Sequence, residues 1–172
     1  MKFADDDFTL FGLAPRYALA RDDLDARWKA LQSEVHPDRF VREGTASQRV
    51  AMQWALRVNE AYQRLKDPVR RGAYLCELRG AKVDAQSNTA MPADFLVQQM
   101  AWREALDEAH DMATVEALDD AVAVDEAARL DALRVSLDER DDAAQAAQQV
   151  RALMFVARFR DDIRRRLEAL DA

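Results

Sequence analysis

Between Asp22 and Val35 the apolar residues Leu24, Trp28, Leu31 and Val35 recur at intervals of four, three and four, which places them on one face of a helix. Asp22 and Asp23 suit the positive N-terminal end of that helix. Pro37 ends it, because a residue preceding proline is pushed out of the helical region, so His36 must be extended or turning. After a loop closed by Gly44 and Thr45, a second helix is predicted from about Ser47, the expected N-cap, to Leu65. Its apolar stripe reads Val50, Trp54, Val58, Ala61, Tyr62 and Leu65. The two stripes can face each other as a helical hairpin. A short helix around Phe8 to Leu13, and a fourth after Pro68 carrying Val69, Tyr74, Leu75 and Leu78, close its sides, with Gly80 placed as a C-cap.

From Ala81 to Pro92 the text AKVDAQSNTAMP is polar and has no apolar period, so it reads as a linker. Beyond it, helical patterns run from Ala93 to about His110, Thr114 to about Glu139, and Asp141 to Leu170. Their short breaks predict an antiparallel three-helix bundle. The fold class is therefore all-α, with an N-terminal domain over residues 1–80, a linker over 81–92 and a C-terminal helical bundle over 93–172. Advancing about 100° per residue, Phe95, Trp102, Leu106 and Ala109 share the sector expected to face the bundle. Leu96, Val97, Met100, Glu104 and Glu108 fall roughly opposite, an apolar and acidic face that is either a binding surface or buried by the third helix.

Composition supports this organisation and narrows the function. Four Gly and four Pro in 172 residues, with no sustained apolar–polar alternation, leave little room for strands. The single Cys76 precludes an internal disulfide framework or a CxxC zinc pair and suits a reducing compartment; flanked by Leu75 and Leu78, it reads as a small buried hydrophobe. The opening MKFADDDF puts acids where a signal peptide would be apolar, and no apolar run reaches the ~20 residues of a membrane span. A soluble cytoplasmic protein is expected. The net charge of −7 is uneven: residues 1–80 carry +2 and residues 93–172 carry −9. An acidic half of that kind disfavours nucleic acid.

The remaining chemistry is sparse. His36 and Asp38 offer an acid–base pair, and His36, Asp38, Cys76 and His110 are the candidate metal ligands; yet no nucleophile motif, phosphate loop or metal-ligand spacing accompanies them. No enzymatic activity and no cofactor are expected. His36-Pro37-Asp38 instead presents an imidazole, a rigid elbow and a carboxylate in an exposed turn between packed helices; in isolation it would read as a proline-terminated helix with a solvated loop.

Its surroundings decide between these. HPDRF follows one amphipathic helix and precedes Asn59-Glu60-Ala61-Tyr62, Leu65, Asp67-Pro68, Arg70 and Arg71, and over residues 5 to 78 the chain resembles the J-domain family. Phe8-Thr9-Leu10-Phe11-Gly12-Leu13, the HPDRF wording and FLVQQMAWREALDEA look like the HscB branch, co-chaperones of iron–sulfur cluster assembly, over nearly the whole length. The resemblance implies that His36, Pro37 and Asp38 engage an HscA/DnaK-type chaperone and promote its ATP hydrolysis. Arg27, Lys29, Arg39 and Arg42, with Arg21 as a further candidate, would steer that contact toward an acidic surface. It further implies that Leu96, Val97, Met100, Glu104 and Glu108, with Phe155 on the last helix, bind the iron–sulfur scaffold IscU. Phe155 and Phe159 also read as ordinary core at i, i+4. The chain departs from the family resemblance at Ala101, where many relatives carry an acid, and at Val97, where a longer side chain is common. A monomer is expected. A different client for the bundle, or self-association through its open face, remains an alternative.

Overall fold

The computed structural model describes residues 2–84 and 91–171. The central part of the expected linker, residues 85–90, lies outside the described residues. The chain divides into two compact units, Met1–Leu75 and Cys76–Ala172. No strand occurs among the described residues. The expected all-α fold class, with a helical hairpin flanked by short helices followed by a C-terminal helical bundle, holds among the described residues.

In the first unit, α1 (Asp7–Leu10) is capped by Asp6, whose carboxylate accepts from Thr9 N at 3.0 Å. Helices α2 (Arg21–Val35) and α3 (Thr45–Lys66) form the hairpin. Trp28 stacks on Tyr62 at 4.6 Å and Gln32 Nε2 donates to Asn59 Oδ1 at 2.8 Å. As numbers rise along α2 they fall along α3, so the two helices are antiparallel. Between them Pro37–Glu43 winds as a 3-10 helix that runs straight to Gly44. Gly44, at φ 94°, makes the sharp entry to α3, a backbone conformation glycine adopts without steric cost. Because α3 starts at Thr45, Ser47 is already inside its first turn and is not the N-cap expected from sequence. The register also corrects the stripe: Ala51, Val58, Tyr62 and Leu65 point inward, whereas Val50 is 51 % exposed. Helix α4 (Pro68–Leu78) places Tyr74 under the Arg64 guanidinium of α3, 4.8 Å from the ring centroid.

One buried carboxylate ties α1 to α3 and α4. Asp7 is fully buried, pairs with Arg57 at 2.7 Å and Arg64 at 2.9 Å, and its backbone N–H donates to Tyr74 Oη at 3.0 Å. Arg27 ties α1 to α2 through Phe11 O and Gly12 O, at 3.0 and 3.1 Å.

In the second unit, α5 (Ala93–Glu108), α6 (Met112–Arg134) and α7 (Ala143–Asp171) pack around Phe95, Val115, Val122, Val156, Phe159 and Ile163. Phe95 meets Phe155 and Trp102 stacks on Phe159, so α5 and α7 run in the same direction with α6 antiparallel between them in the chain. Asp111 caps α6 through Thr114 N at 2.9 Å, which moves the helix start two residues ahead of the expected Thr114. Arg160 clamps α7 to α6 through both carboxylate oxygens of Asp119, each at 3.0 Å, and through Glu126 at 2.7 Å. Arg151 is buried and donates to Val83 O at 2.8 Å, holding the stretch after α4 against α7. Where the sequence pattern continued α6 unbroken to Glu139, the backbone widens into a π-helical turn at Val135–Glu139, closed by Arg140 N donating to Val135 O at 3.0 Å.

Candidate functional site

The tripeptide turn is built from its backbone outward. His36 lies at φ −63°, ψ 127°, extended as its place before Pro37 requires, and serves as N-cap of the 3-10 helix. Its Nδ1 accepts from Asp38 N at 3.3 Å, and the Asp38 carboxylate lies 3.5 Å from the same nitrogen. Arg39 N donates to His36 O at 3.1 Å and Arg39 Nη1 reaches back to Ser33 O at 3.2 Å, pinning the turn to the end of α2. The side chains nonetheless remain 55 % and 84 % exposed for His36 and Asp38. A rigid backbone with free side chains is the geometry of a recognition element.

Of the basic residues expected beside it, Lys29, Arg39 and Arg42 are exposed. Arg27 is committed internally: besides the two carbonyls it donates to Asp23 at 2.9 Å. Arg21 is likewise engaged, with Asp25 at 2.7 Å and Tyr62 Oη at 3.1 Å.

In the second unit the two faces of α5 separate as the helical wheel requires. Phe95 and Ala109 are buried and Trp102 and Leu106 half-buried, while Leu96, Val97 and Met100 are 48 %, 66 % and 71 % exposed. Glu104 and Glu108 are exposed on the same side. Among the described residues, no helix of the unit covers this face. Phe155 belongs to another setting: it is half-buried on α7, edge-on to Phe95 at 6.3 Å, with the Arg158 guanidinium 5.8 Å above its ring. Gln99, which pattern reading passed over, is buried on the inner side of α5.

Cys76 is buried, and burial pushes its thiol up to about 11, which keeps it protonated and unreactive at neutral pH. No group of three or more metal-ligating side chains occurs among the described residues. None of the helices among those residues is long and apolar enough to cross a membrane. One feature beside the turn escaped the sequence reading. Val35, Phe40, Val50, Ala51 and Trp54 line an open groove, which was missed because Val50 and Trp54 carry the spacing of core residues.

Comparison with known proteins bears on both units. Residues 91–164 match a family model described as the HSCB C-terminal oligomerisation domain. A Co-chaperone protein HscB homolog from Burkholderia mallei is 48% identical over 170 residues, 97% of each chain. A homolog of the same name from Bordetella petrii is 47% identical over 161 residues, 93% of this chain and 95% of that one. Among solved structures, the chaperone HscB from Vibrio cholerae superposes with a TM-score of 0.84 at 32% identity, covering 96% of this chain and 99% of that one. The human co-chaperone protein HscB shares the fold, with a TM-score of 0.92 at 24% identity over 100% of this chain and 86% of that one.

Proposed function

We propose a function from one premise: the chain belongs to the HscB co-chaperone family. Its J-domain stimulates the ATPase of an HscA/DnaK-type chaperone through His36, Pro37 and Asp38, with Lys29, Arg39 and Arg42 steering the encounter. Arg27 acts in this as the staple that orients α2. The C-terminal unit delivers the iron–sulfur scaffold IscU to that chaperone, assisting cluster transfer and protein maturation. Leu96, Val97 and Met100 supply the apolar anchor, and Glu104 and Glu108 its charged rim. Phe155 contributes from α7 through the edge that Phe95 leaves open. Functionally the chain divides as residues 1–80 and 93–172, joined by 81–92, and it works as a cytoplasmic monomer.

The observation that carries this reading is the exposed apolar face of α5, three large side chains in water on a helix whose other side holds the buried Phe95 and Gln99. A surface of that kind, opposite in role to the rigid turn of the first unit, is what an adaptor between a client and an ATPase requires. Single-turnover ATP hydrolysis tests it, using a cognate chaperone with this protein, with its His36→Gln variant, and with added scaffold. Equal rates for the protein and its variant would remove the J-domain role. A scaffold that neither binds nor adds to the stimulation would reassign the α5 face to another client.

A further inference from the structure

We infer that Arg158 is a specificity-determining residue of the face shared by α5 and α7: it receives a carboxylate of the scaffold protein and so fixes the orientation in which the scaffold docks. The inference rests on the scaffold-binding reading above. Arg158 is exposed on α7, one turn after Phe155, and its guanidinium lies 5.8 Å from the centre of the Phe155 ring. Helix α7 carries five other arginines, and each is committed. Arg151 donates to Val83 O, Arg160 to Asp119 and Glu126, and Arg166 to Ala109 O. Arg164 and Arg165 pair with Asp161 and Asp162. Among the described side chains Arg158 alone of these arginines meets neither a carboxylate nor a carbonyl, although residues 93–172 carry a net charge of −9.

The position of this cation follows from the faces of α5. Gln98 reaches Asp125 of α6 at 3.3 Å and Arg103 lies 3.7 Å from Asp162 of α7, so the two neighbouring helices flank the buried Phe95 from opposite sides. Leu96 and Arg103, seven residues apart, share the α7 side. Met100, Glu104 and Glu108 follow Leu96 at four-residue steps, each turned about 40° further from α7. From α5 toward α7 the face therefore presents exposed acids, then Met100 and Leu96, then Phe155, and last Arg158. An apolar strip with carboxylates along one border and a guanidinium along the other accepts a partner in one orientation, because the reversed one sets like charges together. The Phe155 ring holds the guanidinium in place, since a cation over an aromatic face is attracted by it. A scaffold side chain that covers Phe155 removes water from the same spot, which strengthens a charge-assisted pairing of Arg158 with a neighbouring carboxylate. The complementary patch on the scaffold is thus basic at one end, apolar in the middle and acidic at the other.

The test is binding of the scaffold to the full-length protein, followed as on- and off-rates for wild type, Arg158→Gln, Arg158→Lys, Arg158→Glu and, as a control for net charge, Arg164→Gln. Arg158→Gln, which loses the charge, is expected to weaken binding about tenfold, chiefly through a faster off-rate and with an unchanged urea midpoint. Arg158→Lys is expected to fall between the two, because an ammonium keeps the charge but not the two-pronged geometry. Arg164→Gln is expected to bind as wild type does. Arg158→Glu is expected to lose most of the binding and to regain it when one acid of the scaffold is changed to lysine. Wild-type affinity for Arg158→Gln, an equal loss for Arg164→Gln, or an Arg158→Glu defect that no acid-to-lysine change in the scaffold repairs overturns the inference. So does a loss that comes with a lowered urea midpoint, which would make Arg158 a support for Phe155 and nothing more. When Leu96→Ala and Met100→Ala still weaken the scaffold, those outcomes leave the role of α5 standing. A scaffold that does not bind the wild-type chain overturns that role and the inference together. Sedimentation showing a dimer of the chain alone that Arg158→Gln dissociates would give the face to a second copy, and that also overturns the inference.

Discussion

At the scale of single residues, Asp7 shows a buried, paired group with no signature in the sequence. The triplet Asp5-Asp6-Asp7 reads as an exposed acidic start, yet its third member is enclosed and shared by Arg57 and Arg64. Those partners lie 50 and 57 residues away, and no local pattern announces a pairing across that distance. Removing one partner of a buried ion pair leaves uncompensated charge, so Asp7→Ala should cost about 3 kcal/mol or more in urea unfolding. A loss below 1 kcal/mol would mean that the two arginines find water without penalty. Cys76 carries the opposite lesson, a polar atom held neutral. Burial raises its thiol from an ordinary value of 9.0 to about 11, so the folded chain holds a proton that the unfolded chain releases in that interval. Its contribution is therefore complete below pH 9 and is lost as pH rises to 11. Burial raises Tyr74 in the same direction. Urea midpoints should accordingly fall across that window, and Cys76→Ala should flatten part of the fall. An equal fall in the variant would assign the effect elsewhere.

At the scale of elements, α5 is the helix whose two sides have different work. Leu96 and Met100 are too exposed to carry the core, so replacing either by alanine should change stability by no more than about 0.5 kcal/mol. If they anchor the scaffold, each truncation should weaken its binding by about 1 to 2 kcal/mol, measured by titration calorimetry. Unfolding of both variants would identify the face as core instead. This division of α5 was legible because the helical period is strict over four turns and Phe95, Trp102, Leu106 and Ala109 stay in register. Helix α2 was legible for the same reason, with Pro37 fixing its end. The start of α3 was not. Ser47 has the chemistry of a cap, but Gly44 turns the chain three residues earlier, and the stripe then rotates enough to expose Val50. Nor was the π-helical turn at Val135–Glu139, since no glycine or proline marks it. The tripeptide could be read as a site only from its context, because three residues fix a turn but the flanking helices give it a role.

At the scale of the whole molecule, the two compact units carry different charge: residues 1–75 hold +2 and residues 76–172 hold −9. A unit with its own core keeps its surface when a residue in the other is changed, and substitutions without shared partners add. The two functions proposed above, ATPase triggering and scaffold holding, should therefore come apart. His36→Gln should abolish chaperone stimulation and leave scaffold affinity within twofold of wild type. Met100→Ala should weaken the scaffold about tenfold and leave stimulation without scaffold intact. The two substitutions together should show the sum of both defects. Raising salt then discriminates the surfaces further, because Glu104 and Glu108 form an exposed rim whose attraction is screened beyond about 10 Å at 0.1 M. Scaffold association should slow with salt while the apolar anchoring at Leu96 and Met100 persists, so the change appears mainly in the on-rate. A scaffold affinity that depends on His36 would mean that client and turn communicate, and the chain would then act as a coupled device rather than as two independent surfaces.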